Sequence, residues 1–161
     1  MKKQKGFSLI ELLIVVAIIG IIAAIAVPNL LKSRQAANEA SAISSIRTMG
    51  TAQATYQSTA LGLNRNFSDT LASLSSAGFV DSTLGSGQKS GYSFATTGVT
   101  ATSTTPSYFD SSATPLSTGN FGTGNRSFYS NETYVIYQAV GGTAPSAAFP
   151  TRVPASPNVI Q

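Results

Sequence analysis

The fold of this chain is decided by residues 5–31, which read KGFSLIELLIVVAIIGIIAAIAVPNLL. Within this stretch, Leu12–Val27 is a run of sixteen residues without one polar side chain. From Phe7 to Leu31 there are 25 residues, and Glu11 is the only charged one. Because a helix needs roughly 20 apolar residues to cross the hydrocarbon core of a bilayer, the sequence predicts a membrane-spanning helix here.

Basic residues lie on both sides of the apolar segment. Lys2, Lys3 and Lys5 precede it, and Lys32 and Arg34 follow it. Basic residues next to a membrane helix are preferentially kept in the cytoplasm. The small excess at the N-terminal side predicts a cytoplasmic N-terminus, with everything after residue 27 outside.

Two plainer interpretations of the segment are a secretory signal peptide and a simple membrane anchor. Ala24-Ile25-Ala26 would serve as the small-residue cleavage site of a signal peptide. Against a signal peptide, Glu11 stands where the apolar core should begin, and the apolar pattern does not stop at Ala26. We therefore favour a third interpretation.

The combination of Lys5, Gly6, Phe7 and Glu11 with the apolar run resembles the N-terminus of type IV pilins and of the related pseudopilins of type II secretion. The resemblance is close over residues 5–31 and is one of pattern only beyond residue 60. It implies that a prepilin peptidase cuts between Gly6 and Phe7 and methylates the new amine of Phe7. Ser8 stands where threonine is common, which is a conservative departure.

Glu11 is expected to take part in assembly together with Phe7. An ionised carboxylate in hydrocarbon is costly unless it is paired. Within one chain, the amine of Phe7 after cleavage lies one helical turn away, and the positive helix N-terminus also favours a carboxylate there. The resemblance implies instead a pairing with the Phe7 amine of a neighbouring subunit, which would fix the axial register of a filament. We favour the second pairing.

Gly20 and Pro28 are the two weak points of the predicted helix. Proline lacks the backbone donor and clashes with the preceding turn, so Pro28 is expected to kink the helix. The resemblance implies that packed subunits lose helix between Gly20 and Pro28. The plainer alternative, in which Gly20 permits close packing and Pro28 only bends the helix, remains open.

The composition points away from an enzyme. The chain has no cysteine and no histidine, which removes disulfides, thiol metal sites and the commonest general base. We expect no catalytic residues, no cofactor and no metal. Four later acids, Asp69, Asp81, Asp110 and Glu132, are too scattered in sequence for a calcium loop, such as relatives of the major pseudopilin carry.

The net charge of +4 is weak evidence for DNA binding. Loss of the three leader lysines leaves seven basic and six acidic side chains. Only Lys32, Arg34 and Arg47 approach a basic cluster, and contact with lipid phosphates is the more natural use for them. DNA is therefore not expected to be the main partner.

The predicted fold class is α+β: a long N-terminal helix packed on a small antiparallel sheet of three or four strands. The helix is expected from about residue 7 to about residue 60, with Gly62 and Asn64 as its stop. Three parts are expected: a cleaved leader (1–6), an apolar transmembrane and assembly helix (7–28), and a globular head (29–161). A small-residue stripe is expected to dock on the sheet: Ala36, Ala37, Ala40, Ile43, Ile46, Met49 and Ala54. Ser41, Ser44, Ser45 and Gln53 are expected on the other faces.

The head beyond the long helix is predicted from local patterns. A short helix is expected over Asp69–Ser76, and strands over Gly91–Ala95, Arg126–Tyr129 and Thr133–Val140. Residues 96–118 are rich in serine and threonine and are expected to form a loop. The proline-rich tail from residue 141 is expected to be a loop or an extended strip, and its means of attachment is not predicted.

The expected function is that of a structural subunit in a type IV pilus-like filament, serving adhesion, twitching motility or DNA uptake. The expected partners are other copies of the chain, the prepilin peptidase, an inner-membrane assembly platform, and the lipid bilayer before assembly. The subunit would begin in the inner membrane and end in an extracellular pilus or a periplasmic pseudopilus. A pseudopilin of type II secretion and a membrane-anchored extracytoplasmic binding module are the alternatives.

Overall fold

The computed structural model describes residues 6–59, 65–148, 151–155 and 158–160. In this part of the chain a long helix is followed by two short helices and six strands. The helices are α1 (Leu9–Ser58), α2 (Leu71–Ser76) and α3 (Ser82–Gly85). The strands are β1 (Gln88–Lys89), β2 (Tyr92–Val99), β3 (Tyr108–Pro115), β4 (Arg126–Asn131), β5 (Ile136–Val140) and β6 (Val159–Ile160). This is the predicted α+β architecture.

Helix α1 is 50 residues long, which corresponds to about 75 Å at 1.5 Å per residue. It begins after Ser8, which is its N-cap, and it ends at Ser58, where the backbone N–H of Thr59 donates to the carbonyls of the last turn. The helix therefore ends before Gly62 and Asn64, the predicted stop, which lie outside the described residues.

The second half of α1 packs against β3 and β4. Its buried positions include 35, 39, 42, 46, 49 and 53, a regular alternation of four- and three-residue steps along one face. The predicted stripe is only partly right: Ile46 and Met49 are buried, whereas Ala36, Ala37 and Ala40 are exposed. Ser45 and Gln53, which were predicted on the other faces, are buried.

The stripe was misplaced because four buried positions carry polar side chains. Three of these, Gln35, Glu39 and Gln53, have hydrogen-bond partners in the head. Gln53 is the clearest case. Its amide nitrogen donates to the carbonyl of Ser68 and to the hydroxyl of Thr96, both at 2.9 Å, and its carbonyl accepts from the Ser68 N–H at 2.8 Å. A buried polar group is tolerated when it is hydrogen-bonded in this way.

The sheet is antiparallel throughout and its strands follow chain order from β1 to β6. It therefore has more strands than the three or four predicted. Residues 96–118 were predicted as a loop, but they contain the end of β2 and all of β3. Burial alternates along β3, and the Ser111 hydroxyl on its inner face bonds that of Thr96 at 3.0 Å. Paired hydroxyls let a Ser/Thr-rich segment form a half-buried strand.

The remaining predictions for the head were close. Helix α2 lies within the predicted Asp69–Ser76 segment, and Thr70 caps it. Helix α3 was not predicted; Asp81 caps it by accepting the Leu84 N–H at 2.9 Å. The strand predicted from Thr133 begins only at Ile136, because a turn precedes it. The tail contributes β6, which pairs with the first two residues of β5.

The core of the head is formed by α1, α2, α3 and the inner face of the sheet. Its buried apolar members are Ala42, Ile46, Met49, Ala52, Leu71, Leu74, Val80, Leu84, Tyr92, Phe94, Ala113, Phe128 and Ile136. In the described part of the chain every buried residue lies at position 35 or later. The first half of α1 therefore adds nothing to this core and projects from it.

Candidate assembly segment and its attachment to the head

The predicted processing residues lie at the tip of the projecting helix. Gly6 and Phe7 precede α1, and the Phe7 side chain is 93% exposed. Residues 1–5, the rest of the predicted leader, lie outside the described part of the chain. The Gly6–Phe7 bond therefore lies in an exposed part of the chain, just ahead of the helix.

Glu11 stands in the first turn of α1, three residues after the N-cap. Its carboxylate accepts a hydrogen bond from the backbone N–H of Ser8 at 3.0 Å. The position is that of the acidic residue in a capping box, in which a carboxylate satisfies a donor that the helix leaves unpaired. This local role was not predicted from the sequence, and it gives Glu11 a partner within its own chain before any assembly.

The apolar segment lies open along its whole length. From Phe7 to Leu30 every residue is exposed apart from Ala23, which is partly covered. By length and composition α1 is able to cross a membrane, and none of its most apolar window is buried against the head. It is therefore not the core helix of a soluble domain. An apolar surface of this size requires lipid or other protein to cover it.

Gly20 and Pro28 both lie within the unbroken helix, eight residues apart. A Cβ at Gly20 would meet no other described residue within 4 Å, so no contact in the described part of the chain requires glycine there. The bend at Pro28 and the loss of helix between the two positions stay predictions.

The exposed bases on α1 do not form one patch. Lys32 and Arg34 follow the apolar segment directly, whereas Arg47 lies thirteen residues beyond Arg34, about 20 Å along the helix. Clustered charge is what a DNA-binding face needs, and this spacing provides little of it.

The helix is attached to the head next to the apolar segment by an ion pair. Arg126 at the start of β4 donates to Glu39 of α1. Its Nε and Nη2 atoms both lie 2.7 Å from Oε2 of Glu39. The other carboxylate oxygen accepts the backbone N–H of Asn125 at 2.9 Å. Arg126 also donates to Gln138 on β5 at 2.8 Å. These bonds fix the direction in which the apolar segment leaves the head.

The C-terminal segment is held by Arg152, whose side chain is only 7% exposed. Its guanidinium donates to both oxygens of Glu132 at 2.7 and 2.8 Å and to Asp110 at 2.8 Å. It also donates to the carbonyls of Phe109 at 2.8 Å and Ala147 at 3.0 Å. We call Arg152, Asp110 and Glu132 the tail clamp.

The tail clamp is surrounded by groups that fix it. The guanidinium carbon lies 4.3 Å from the centre of the Tyr108 ring, a cation–π distance. Asn131 donates to the Arg152 carbonyl at 2.8 Å, which holds the backbone at a φ of 53°, a region that side chains disfavour. The hydroxyl of Tyr129 donates to Asp110.

The tail clamp shifts the pKa of the Glu132 carboxyl and that of the neighbouring Tyr129 hydroxyl. Burial raises the pKa of the Glu132 carboxyl, but hydrogen bonds from Arg152 and from backbone groups outweigh this, so the pKa lies below its ordinary value. Burial and then the hydrogen bond to Asp110 raise the pKa of the Tyr129 hydroxyl. The lowered pKa keeps the Glu132 carboxylate charged opposite Arg152 at neutral pH.

The clamp answers the question that the sequence left open about the tail. Sequence reasoning missed it because Arg152 is 42 positions from Asp110 and 20 from Glu132. Asp110 and Glu132 are two of the four acids that are too scattered in sequence for a calcium loop. The sheet brings them together, and both bind Arg152. The only signal available in the sequence was an isolated arginine in an otherwise uncharged tail.

Comparison with known proteins identifies the N-terminal segment. The family model described as the prokaryotic N-terminal methylation motif matches residues 1–27. The chain is 46% identical over 54 residues to the type IV major pilin protein PilA of Myxococcus xanthus, covering 34% of this chain and 24% of that protein. It is 62% identical over 39 residues to the type IV wide pilus major component PilA4 of Thermus thermophilus, covering 24% and 30%.

The similarity extends to secretion proteins as well. The chain is 43% identical over 44 residues to the type II secretion system core protein G of Escherichia coli, covering 27% of this chain and 30% of that protein. The chain thus matches about a quarter to a third of the length of these curated relatives. No solved structure matches it. The N-terminal part of the chain is thus similar to type IV pilins and to type II secretion pseudopilins. The described residues have the pilin-like arrangement of one long helix on an antiparallel sheet.

Proposed function

We propose that this chain is the structural subunit of a type IV pilus-like filament. The observation that carries the proposal is the 24-residue segment from Phe7 to Leu30, which is helical from Leu9 and is left uncovered by the rest of the chain. Such a surface is stable in a bilayer as a single span. It is equally able to pack against copies of itself, as subunits in a helical bundle would.

The processing step is proposed on the same residues. A prepilin peptidase would cleave between Gly6 and Phe7 and methylate the Phe7 amine, and an inner-membrane platform would then move the subunit from the bilayer into the fibre. Under this proposal the head has no catalytic role. It forms the outer surface of the filament, and its attachment through Glu39 and Arg126 holds the apolar segment in a fixed direction.

A pseudopilin role in type II secretion is the second candidate, favoured by the similarity to core protein G. The tail clamp counts against that role in its calcium-binding form. Asp110 and Glu132, the acids that converge near the tail, are neutralised by a guanidinium, so they are not free to coordinate a cation. We therefore place the pilus role first.

Glu11 provides the experiment, because two roles for its carboxylate are separable. The first is to cap the helix through Ser8, and the second is to neutralise the Phe7 amine of a neighbouring subunit. Glutamine keeps an oxygen that accepts the Ser8 N–H, and it serves in capping boxes, but it carries no charge. Leucine removes both functions.

Glu11→Gln and Glu11→Leu should both be inserted and cut after Gly6, and both should yield few or no filaments by electron microscopy of sheared surface fractions. Immunoblots against the head would show equal amounts of cleaved subunit in membranes. Normal filaments from Glu11→Gln but not from Glu11→Leu would assign Glu11 to capping alone. Normal filaments from both variants would refute any role for the carboxylate in assembly.

A further inference from the structure

A second exposed apolar group lies close to the apolar segment but belongs to the head. Phe121 is 84% exposed and occupies the turn Gly119–Gly122, between β3 and β4, which is closed by the Gly122 N–H donating to the Gly119 carbonyl at 3.0 Å. Glycine is required at both ends. Gly119 has a φ of 95°, and a Cβ on Gly122 would lie 2.5 Å from the Ser117 carbonyl oxygen.

The turn is fastened to α1 by Gln35. The amide nitrogen of Gln35 donates to the carbonyl of Gly119 at 2.7 Å and to that of Gly122 at 3.0 Å. Asn38, almost one helical turn later, donates to the Thr123 carbonyl at 2.9 Å. Because Gln35 is itself buried, these bonds are partly shielded from water, and they hold the Phe121 ring at a fixed height along the helix.

That height coincides with the end of the apolar segment. A groove of about 550 Å³ lies between helix and turn, and it is lined by Pro28, Leu31, Lys32, Gln35, Asn120, Phe121 and Asn125. Leu31 is 24 residues after Phe7, about 36 Å along the helix, and a hydrocarbon core is about 30 Å thick. A subunit whose Phe7 lies at one face of the bilayer thus carries this groove to the other face.

We propose that the Gly119–Gly122 turn is a membrane-interface anchor, in which Phe121 enters the outer boundary between lipid headgroups and acyl chains while Lys32 contacts lipid phosphate. The proposal rests on the membrane-spanning stage of the proposed function. Lipid is the occupant chosen because the groove is continuous with the membrane-length segment through Pro28 and Leu31. The exposed base Lys32 on its wall matches anionic headgroups, and aromatic or aliphatic side chains beside a basic residue are typical of interfacial anchors.

An anchor of this kind would act before assembly. A head fixed to a single membrane helix can still tilt and rotate together with that helix relative to the bilayer, whereas a second point of contact at the same membrane surface restricts its orientation. Subunits would then be presented to the assembly platform in one orientation, and extraction would release the turn from the lipid.

The chain has no tryptophan, so each single Trp variant reports on one position. The full chain is reconstituted into vesicles of phosphatidylethanolamine and phosphatidylglycerol whose acyl chains carry no bromine, bromine near the headgroup, or bromine near the chain end. Phe121→Trp is compared with Val15→Trp in the apolar segment and with Tyr134→Trp. Tyr134 is half-exposed beside Gly50, about 28 Å further along α1 than Leu31.

Bromolipid should quench the fluorescence of Val15→Trp strongly and that of Tyr134→Trp hardly at all. It should quench Phe121→Trp several-fold more than Tyr134→Trp, and the emission of Phe121→Trp should lie at shorter wavelength than that of Tyr134→Trp. If Phe121→Trp behaves like Tyr134→Trp while Val15→Trp is quenched, the anchor is wrong although insertion stands. If Val15→Trp is not quenched either, both insertion and the anchor are refuted. An emission shift that bromolipid does not quench and that grows with the protein-to-lipid ratio would assign the turn to a second copy of the chain and overturn the proposal.

Discussion

Replacing Arg152 with methionine should destabilise the head by about 3 kcal/mol. Removal of one partner of a buried ion pair costs about 3–5 kcal/mol, because the other partner is left uncompensated. The low end applies, since Asp110 and Glu132 are 36% and 25% exposed and water can partly solvate them. The carbonyls of Phe109 and Ala147 also lose their donor. Methionine keeps a comparable length of apolar side chain, so a cavity contributes little.

The assay is urea unfolding of residues 29–161 at pH 7, followed by far-UV circular dichroism. Lys89→Met is the matched control, because Lys89 pairs with Asp81 at 3.0 Å with both side chains well exposed. Exposed pairs of this kind contribute about 0–1 kcal/mol. Equal losses in the two variants would show that the clamp is an ordinary surface contact and that something else holds the tail.

The clamp also predicts a pH dependence. Because the pKa of Glu132 is lower in the folded state than in the unfolded chain, its contribution is complete above the unfolded pKa of about 4.3. It is lost as the pH falls through the folded pKa. The stability difference between wild type and Arg152→Met should therefore be constant from pH 6 to about pH 5 and shrink on further acidification. A difference that grows below pH 4 contradicts the assignment.

Further predictions concern the helix and the isolated head. Gln53→Leu should lower the free energy of unfolding by about 2–4 kcal/mol, because both backbone groups of Ser68 lose their partner. The control Gln57→Leu loses one 3.2 Å bond to a serine hydroxyl and should cost below about 1 kcal/mol. Equal losses in urea unfolding would contradict the role assigned to Gln53. Residues 29–161 should form a soluble monomer by sedimentation, since the exposed apolar segment is absent and the buried positions are retained. Unfolding of this head should be unaffected by reducing agent, as there is no cysteine, and by calcium chelation; a transition sensitive to chelation would favour the pseudopilin role.

The long helix and the fold class were predictable because their signals are local. A membrane-length apolar run, and short segments rich in aromatic and β-branched residues, are each signalled by residues that are neighbours in sequence. Gly6, Phe7 and Glu11 lie within six consecutive residues, so this motif is recognisable from the sequence alone. Even there, the hydrogen bond from the Ser8 N–H to Glu11 was not predicted, because the sequence indicates the positive helix N-terminus but not which backbone donor the carboxylate meets.

The contacts between helix and sheet could not be predicted in the same way. Gln35, Glu39 and Gln53 continue the spacing of the buried face, but a search for apolar residues passes over them. Their partners lie in distant parts of the chain, and only the folded sheet brings them within reach. The same holds for Arg152, whose acceptors come from β3, the turn after β4 and the tail itself. A buried polar side chain whose hydrogen-bond partner is distant in sequence leaves no local pattern from which its burial could be predicted.

The central claim is that the chain is processed between Gly6 and Phe7 and built into filaments, and mass spectrometry of sheared surface filaments tests it most directly. The account predicts that the filament subunit begins at Phe7 and that its terminal amine carries one methyl group. A subunit that begins at Val27 would instead mean removal of a secretory signal. The apolar segment would then be absent from the mature protein, and the filament account would be contradicted.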